Sequence, residues 1–303
     1  MADVPDVKRS RVESFGVEES ARAVQNKLIT SKVATWCCFI AALFISIHNG
    51  VRISEFASMR AGRTGHHGKW NMTKFQELPA NDVYEHWKER HSVRGLHVLD
   101  EMAGIIGYSA IIPVISFIVP VLSRNVPGSL VYLALPAASL AAGLRIMEWS
   151  TNTGVRLGTD WMSTWSIMEP TASKSIQFIQ VLEMMYLMQR FETMFLFTAD
   201  YFFLGITFFV LSRAQIAQNA FSKKHAYLGY ACFVLSFLNF IFDLARVASW
   251  GVFMIPSFLT RAIVGVILFP IWLVWLGCSL RSTPKSELSS LLFGTSGGNY
   301  NGM

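Results

Sequence analysis

Charged residues make up only 15% of this 303-residue chain, against 52% hydrophobic residues. That balance excludes a disordered or freely solvated chain, which stays open through high charge and low hydrophobicity. Cysteine is scarce as well. Cys37, Cys38, Cys232 and Cys278 all sit in apolar runs, with neither a disulfide framework nor a metal-binding spacing among them. The sequence has no Gly-x-x-x-x-Gly-Lys phosphate loop, no Gly-x-Ser-x-Gly elbow and no Gly-x-Gly-x-x-Gly fingerprint, which removes the commonest nucleotide and acyl-transfer sites. The first 30 residues mix Lys8, Arg9, Arg11, Glu13, Glu18 and Glu19 without an apolar core, so a secretory signal peptide is not expected.

What the chain has in abundance is long apolar runs. A membrane-crossing helix needs about 20 mostly apolar residues, because it rises about 1.5 Å per residue through a hydrocarbon core about 30 Å thick. Six such runs are expected to span, at about 33–49, 102–122, 130–147, 191–211, 227–250 and 258–280. The fold class expected is therefore all-α, a polytopic bundle of about six transmembrane helices over 31–281. It is preceded by a mixed-charge segment 1–30 with an interfacial helix near Ala21–Ile29, and followed by a Ser- and Gly-rich tail 282–303 expected to be disordered. A polar loop, 52–100, separates the first two spans and contains a candidate helix at Asn81–His91. Residues 151–175 read as a second loop, with Trp161 and Trp165 facing headgroups. Residues 173–190 read as an amphipathic approach to the fourth span. Pro113 and Pro120 are expected to kink the second span. The run Ala137, Ala138, Ala141, Ala142, Gly143 offers a small-residue face for close helix contact.

The net charge of +6 arises in the connecting segments, which suits anionic headgroups and gives no reason to expect a nucleic-acid partner. Arg213, Lys223 and Lys224 flank the link between spans four and five, whereas the next link, Gly251–Ser257, has no charge. The positive-inside rule then places both termini on the cytoplasmic side and the large loop, with its sequon Asn71-Met72-Thr73, outside.

Ionisable groups inside spans are costly, so each must pair, reach the interface or face a polar cavity. The candidates are Arg145 and Glu148 near the end of span three, Asp200 in span four, Asp243 and Arg246 three apart in span five, and Arg261 at the start of span six. One reading makes them ion pairs that fix helix register: Asp243 with Arg246 on one face, and Asp200 or Glu148 with Arg246 or Arg261. The other makes them the lining of a cavity between spans three and six that binds a substrate or passes a proton. Glu183, Arg190 and Glu192 read as interfacial, or as a gate at such a cavity's mouth. His97 and Glu101 have the i, i+4 spacing that can hold a metal, with His66, His67, His86 and His91 close in sequence, but no His-Glu-x-x-His motif supports them. Haem ligation by His48 and His97 is weaker still, because both flank the polar loop. No cofactor is expected. The last three runs lack a lysine for a retinal Schiff base, and His225, the only histidine after His97, leaves no His-x-x-x-His pair for a ceramidase-type hydrolase.

The segments Phe197-Thr198-Ala199-Asp200-Tyr201 and Phe269-Pro270-Ile271-Trp272-Leu273-Val274-Trp275-Leu276-Gly277 resemble an uncharacterised family of bacterial multi-pass membrane proteins. So do the Leu211-Ser212-Arg213 ending, the Leu228-Gly229-Tyr230 opening and Ala141-Ala142-Gly143-Leu144-Arg145 with Glu148. The long charged N-terminus and enlarged first loop depart from that pattern. The resemblance implies a six-span fold and no activity. From residues alone, the favoured function is non-catalytic: an accessory subunit or binding protein in contact with membrane lipids and other membrane subunits. A small proton-coupled carrier comes second, and a lipid-modifying enzyme third.

Overall fold

The computed structural model describes residues 31–54, 94–123, 130–168, 176–218, 221–248 and 252–282, which form six helices with no strand among them. They are α1 (Ser31–Ser54), α2 (Arg94–Leu122), α3 (Ala134–Met168, after a 3-10 turn at Val131–Leu133), α4 (Ile176–Gln218), α5 (Lys223–Ala248) and α6 (254–282). Of these, α1, α2, α3, α5 and α6 are long and apolar enough to cross a membrane. The 43-residue α4 measures about 65 Å at 1.5 Å per residue and packs along α3 and α5.

Burial runs opposite to that of a water-soluble bundle. On α1 the core side is Ala34, Cys38, Ala41, Ala42 and Ile45, whereas Trp36, Ile40 and Leu43 are exposed. Small residues inside let backbones approach, and large apolar residues outside meet acyl chains, as a lipid-solvated helix requires. The chain is an all-α, multi-pass integral membrane protein.

Several boundaries differ from those expected. Helix α3 continues unbroken to Met168, through residues read from sequence as a loop from 151. Helix α2 begins at Arg94, taking the end of the polar segment 52–100 into a helix, and α1 carries the other end inward as far as Ser54. The physical reason is the same in both places. Charges that look like loop material are neutralised against one another across helices, so they extend spans without facing lipid. Residues 176–218 form one helix, not an approach and a separate span.

Helix α2 runs through Pro113 and Pro120 and ends two residues after the second. There Ser123 Oγ donates to the Pro120 carbonyl at 3.1 Å, and the Gln218 side-chain amide from the end of α4 donates to the Leu122 carbonyl. Both bonds satisfy helix-end carbonyls that have no partner within the helix. The four alanines of the small-residue face on α3 are buried, but Gly143 faces open space. Close approaches lie elsewhere, as at Gly104 of α2, where a Cβ would stand 2.9 Å from the Trp149 ring.

The link into α5 places Phe221 at φ 60, in the left-handed region. For a residue with a Cβ this conformation costs about 1–2 kcal/mol, and packing of the Phe221 ring against the core holds it. Ser222 then caps α5, its Oγ accepting from the Lys224 N–H at 3.2 Å. In α6 a π-helical stretch, Ile263–Leu268, interrupts the α-helix. Asn49 of α1 donates its amide to the Gly265 carbonyl within that stretch at 2.9 Å, locking the first helix to the last. The N-terminal segment, the helix expected at 81–91, the Trp161, Trp165, Glu183, Arg190, Glu192 and Arg246 side chains, and the tail from 283 lie outside the described residues.

Candidate functional site: a buried network of ionisable groups

Six helices contribute to one set of buried ionisable and polar groups. It begins where α1 meets α2. His48 Nδ1 lies 2.8 Å from Asp100 Oδ1 and 3.1 Å from the Asp100 carbonyl. Both are acceptors, so Nδ1 carries the proton and donates. The other oxygen of Asp100 accepts from Arg52 Nε at 3.2 Å, and the Arg52 guanidinium reaches Glu148 of α3 at 3.8 Å. Glu148 accepts from Arg145 Nη1 at 2.7 Å, one turn earlier on α3. The same guanidinium pairs through Nε with Asp200 of α4 and hydrogen-bonds the Tyr108 hydroxyl of α2.

Arg145 also lies over two aromatic rings, 5.6 Å from Trp149 and 5.3 Å from Tyr201. Tyr201 has a second guanidinium against it, that of Arg261 from α6, at 5.5 Å. Through this ring the first cluster meets a second. Arg261 Nη2 donates to Asp243 Oδ2 of α5 at 2.7 Å, Ser257 Oγ donates to Oδ1 at 2.6 Å, and the Asn239 amide donates to Oδ2 at 3.2 Å. Thr260 Oγ1 bonds Asn239 Oδ1 at 3.1 Å, tying α6 to α5 once more. A cation over an aromatic face is stabilised by the ring quadrupole, more strongly where water is excluded.

Asp100, Glu101, Glu148, Asp200 and Asp243 are all at least 99% buried, whereas the described cations that meet them are three guanidiniums, Arg52, Arg145 and Arg261. Ionised groups so placed persist only when paired and hydrogen-bonded. Among the described side chains Asp200 and Glu148 share Arg145, and Asp243 takes Arg261 from the next helix, where the sequence had offered Arg261 to Asp200 or Glu148. The pairs expected of Arg246 lie outside the described side chains.

Two participants, Arg52 and Asp100, had no place among the candidates from sequence, and His48 entered there only as a haem ligand. They sit at span ends, where charge normally reads as interfacial. The available signal was spacing, since His48 and Arg52 are four apart, as are His97 and Glu101, and each pair therefore marks one helical face. His97 and Glu101 are buried on α2, and Glu101 Oε2 accepts from Thr153 Oγ1 of α3 at 2.5 Å. Among the described residues no group of three His, Cys, Asp or Glu side chains is placed to share a metal ion. His48, offered from sequence as a haem ligand at a loop edge, is inside the bundle with Nδ1 committed to Asp100.

At the opposite end of α5, His225 forms a separate buried polar site. Its Nε2–H donates to the Trp272 carbonyl at 3.0 Å, Nδ1 faces Gln215 Oε1 at 3.1 Å, and the ring stacks on Trp272 at 5.1 Å. No protein-family model, curated protein or solved structure matches the chain.

Proposed function

We propose that this membrane protein is a small proton-coupled carrier, with the network around Arg145, Asp200, Asp243 and Arg261 as its coupling site. The observation that carries the reading is the joining of two ion-pair clusters, from all six helices, through the Tyr201 ring between two guanidiniums. Fixing helix register requires one or two buried pairs. Among the described residues, buried carboxylates from five positions gather with three guanidiniums, and a histidine is in hydrogen-bond contact with one of the acids, a composition that suits a site taking up and releasing protons. A carrier also needs pairs that can exchange partners. Arg145, shared between Glu148 and Asp200 on two different helices, supplies such a choice.

The accessory-subunit reading favoured from residues alone requires these groups only as internal scaffolding. It rests on the pairing seen at Asp243, which three neighbouring donors saturate. The two readings separate on a pH jump applied to reconstituted protein on a solid-supported membrane. The carrier gives a transient current that Asp200→Asn and Asp243→Asn each reduce at least tenfold while folded yield is retained. Absence of current from the unaltered protein refutes the carrier. Orientation follows the positive-inside rule, with Lys223, Lys224 and the His225 end of α5 on the cytoplasmic side.

A further inference from the structure

The fully buried positions of α5 hold no large aliphatic residue. Read along the helix at alternating spacings of four and three, one line of them is His225, Gly229, Cys232, Ser236, Asn239 and Asp243, all buried. The outward face has Tyr227, Val234, Phe237, Ile241 and Leu244. From His225 to Asp243 the stripe covers about 27 Å at 1.5 Å per residue, nearly the thickness of a hydrocarbon core.

Two positions on this stripe mirror each other across α4. Ser212 of α4 points its hydroxyl over Gly229 of α5, where a Cβ would collide with Ser212 Oγ and stand 3.2 Å from Trp272 Nε1. Ser236 of α5 lies against Gly205 of α4, 3.7 Å from the Cβ site there. Each helix thus sets a serine opposite the other's glycine, seven residues apart on both. A serine in a membrane helix ordinarily bonds its own carbonyl four residues back, as Ser46 does to Ala42 at 2.7 Å. Ser212 and Ser236 do not. Their hydroxyls are buried without a hydrogen-bond partner among the described residues, as are Trp272 Nε1 and Gln215 Nε2. Four buried orphan groups on one seam form a polar setting suited to ordered water, because leaving such groups dry is costly.

His225 closes the seam at its far end, and its surroundings suit two protonation states. When doubly protonated, Nε2–H donates to the Trp272 carbonyl and Nδ1–H to Gln215 Oε1. When Nδ1 is bare, rotation of the Gln215 amide turns its NH2 toward that nitrogen. The groups facing the ring are Gln215 from α4 and Trp272 and Trp275 from α6. No carboxylate is paired with it among the described residues.

We infer that the α4/α5/α6 seam is a water-filled proton path linking the Asp243 end of the bundle to His225, which serves as its terminal proton acceptor and donor. In each transfer the Gln215 amide turns aside from Nδ1, an O–H bond of a hydronium in the seam breaks as the Nδ1–H bond of His225 forms and leaves water behind, and the reverse step releases the proton. No redox partner is involved. This deepens the carrier reading and rests on it, since it supplies the route by which protons reach the coupling site.

The test uses the full chain in proteoliposomes containing a pH-sensitive dye, with proton entry driven by a potassium diffusion potential. His225→Gln removes the exchangeable proton. Ser212→Ala combined with Gly229→Ala closes the slot with a methyl 3.5 Å from the residue 212 Cβ and 3.2 Å from Trp272 Nε1, so the indole must give by a few tenths of an ångström. Each is expected to slow proton entry at least tenfold while leaving the detergent-solubilised thermal midpoint unchanged. Undiminished entry in both, with Asp243→Asn still blocking it, overturns the path and leaves the carrier intact. No entry in the unaltered protein overturns both. An experimental map fine enough to resolve water is expected to show density between Ser212 Oγ and Trp272 Nε1. A dry seam overturns the path whatever the flux.

Discussion

Helices α2 and α5 are both apolar enough to cross a membrane, yet they bury opposite kinds of surface. The second half of α2 turns Val114, Ile115, Ile118 and Leu122 into the core, and α5 turns in histidine, serine, asparagine and aspartate. The mean hydropathy of their best windows, 2.3 and 1.8, does not predict this. The contrast assigns different work to the two interfaces. The α2 interface is packed like a protein interior and supplies stability through close contact. The α5 interface packs Leu228, Phe233, Leu235 and Phe240 against the core as well, but its most buried line is polar.

The largest effect expected is on the joint between the two regimes. Arg145→Gln leaves Glu148 and Asp200 buried together without their shared cation, and a broken buried pair costs about 3–5 kcal/mol. Folded yield should collapse. Asp200→Asn in the same chain should restore part of it, and additive losses measured by unfolding in mixed micelles would show that the three residues do not act together. Next comes the apolar side of the comparison. Ile118→Ala on α2 opens a cavity in a fully buried position and should lower stability by about 2–4 kcal/mol, read as a drop in thermal midpoint. The smallest effect belongs to α5, where Ser236→Ala removes a hydroxyl with no partner among the described residues and should be neutral or slightly stabilising. A destabilisation matching that of Ile118→Ala would mean that the α5 seam is packed as a structural core, and the contrast would fail.

Much of the architecture was legible in residue order. The apolar runs gave the helices, and the charges at Arg145, Glu148, Asp200, Asp243 and Arg261 were recognisable because lipid tolerates none of them unpaired. Less legible were the ends of runs. His48, Arg52, His97, Asp100 and Glu101 look like loop residues, since composition near a boundary cannot distinguish a charge facing water from one facing another charge. The polar stripe on α5 was also missed. Its serines, glycine and cysteine barely lower hydropathy, and its period becomes meaningful only when the buried face is known.

The sequence by itself determined that this protein is a set of apolar helices in lipid, because the cost of burying backbone and charge in hydrocarbon is paid locally, run by run. Which carboxylate meets which guanidinium, and which face of α5 turns inward, only the tertiary structure decided. Ion pairing and hydrogen bonding act over a few ångströms between residues as far apart in sequence as Arg52 and Glu148, and only the packing of helices sets those distances.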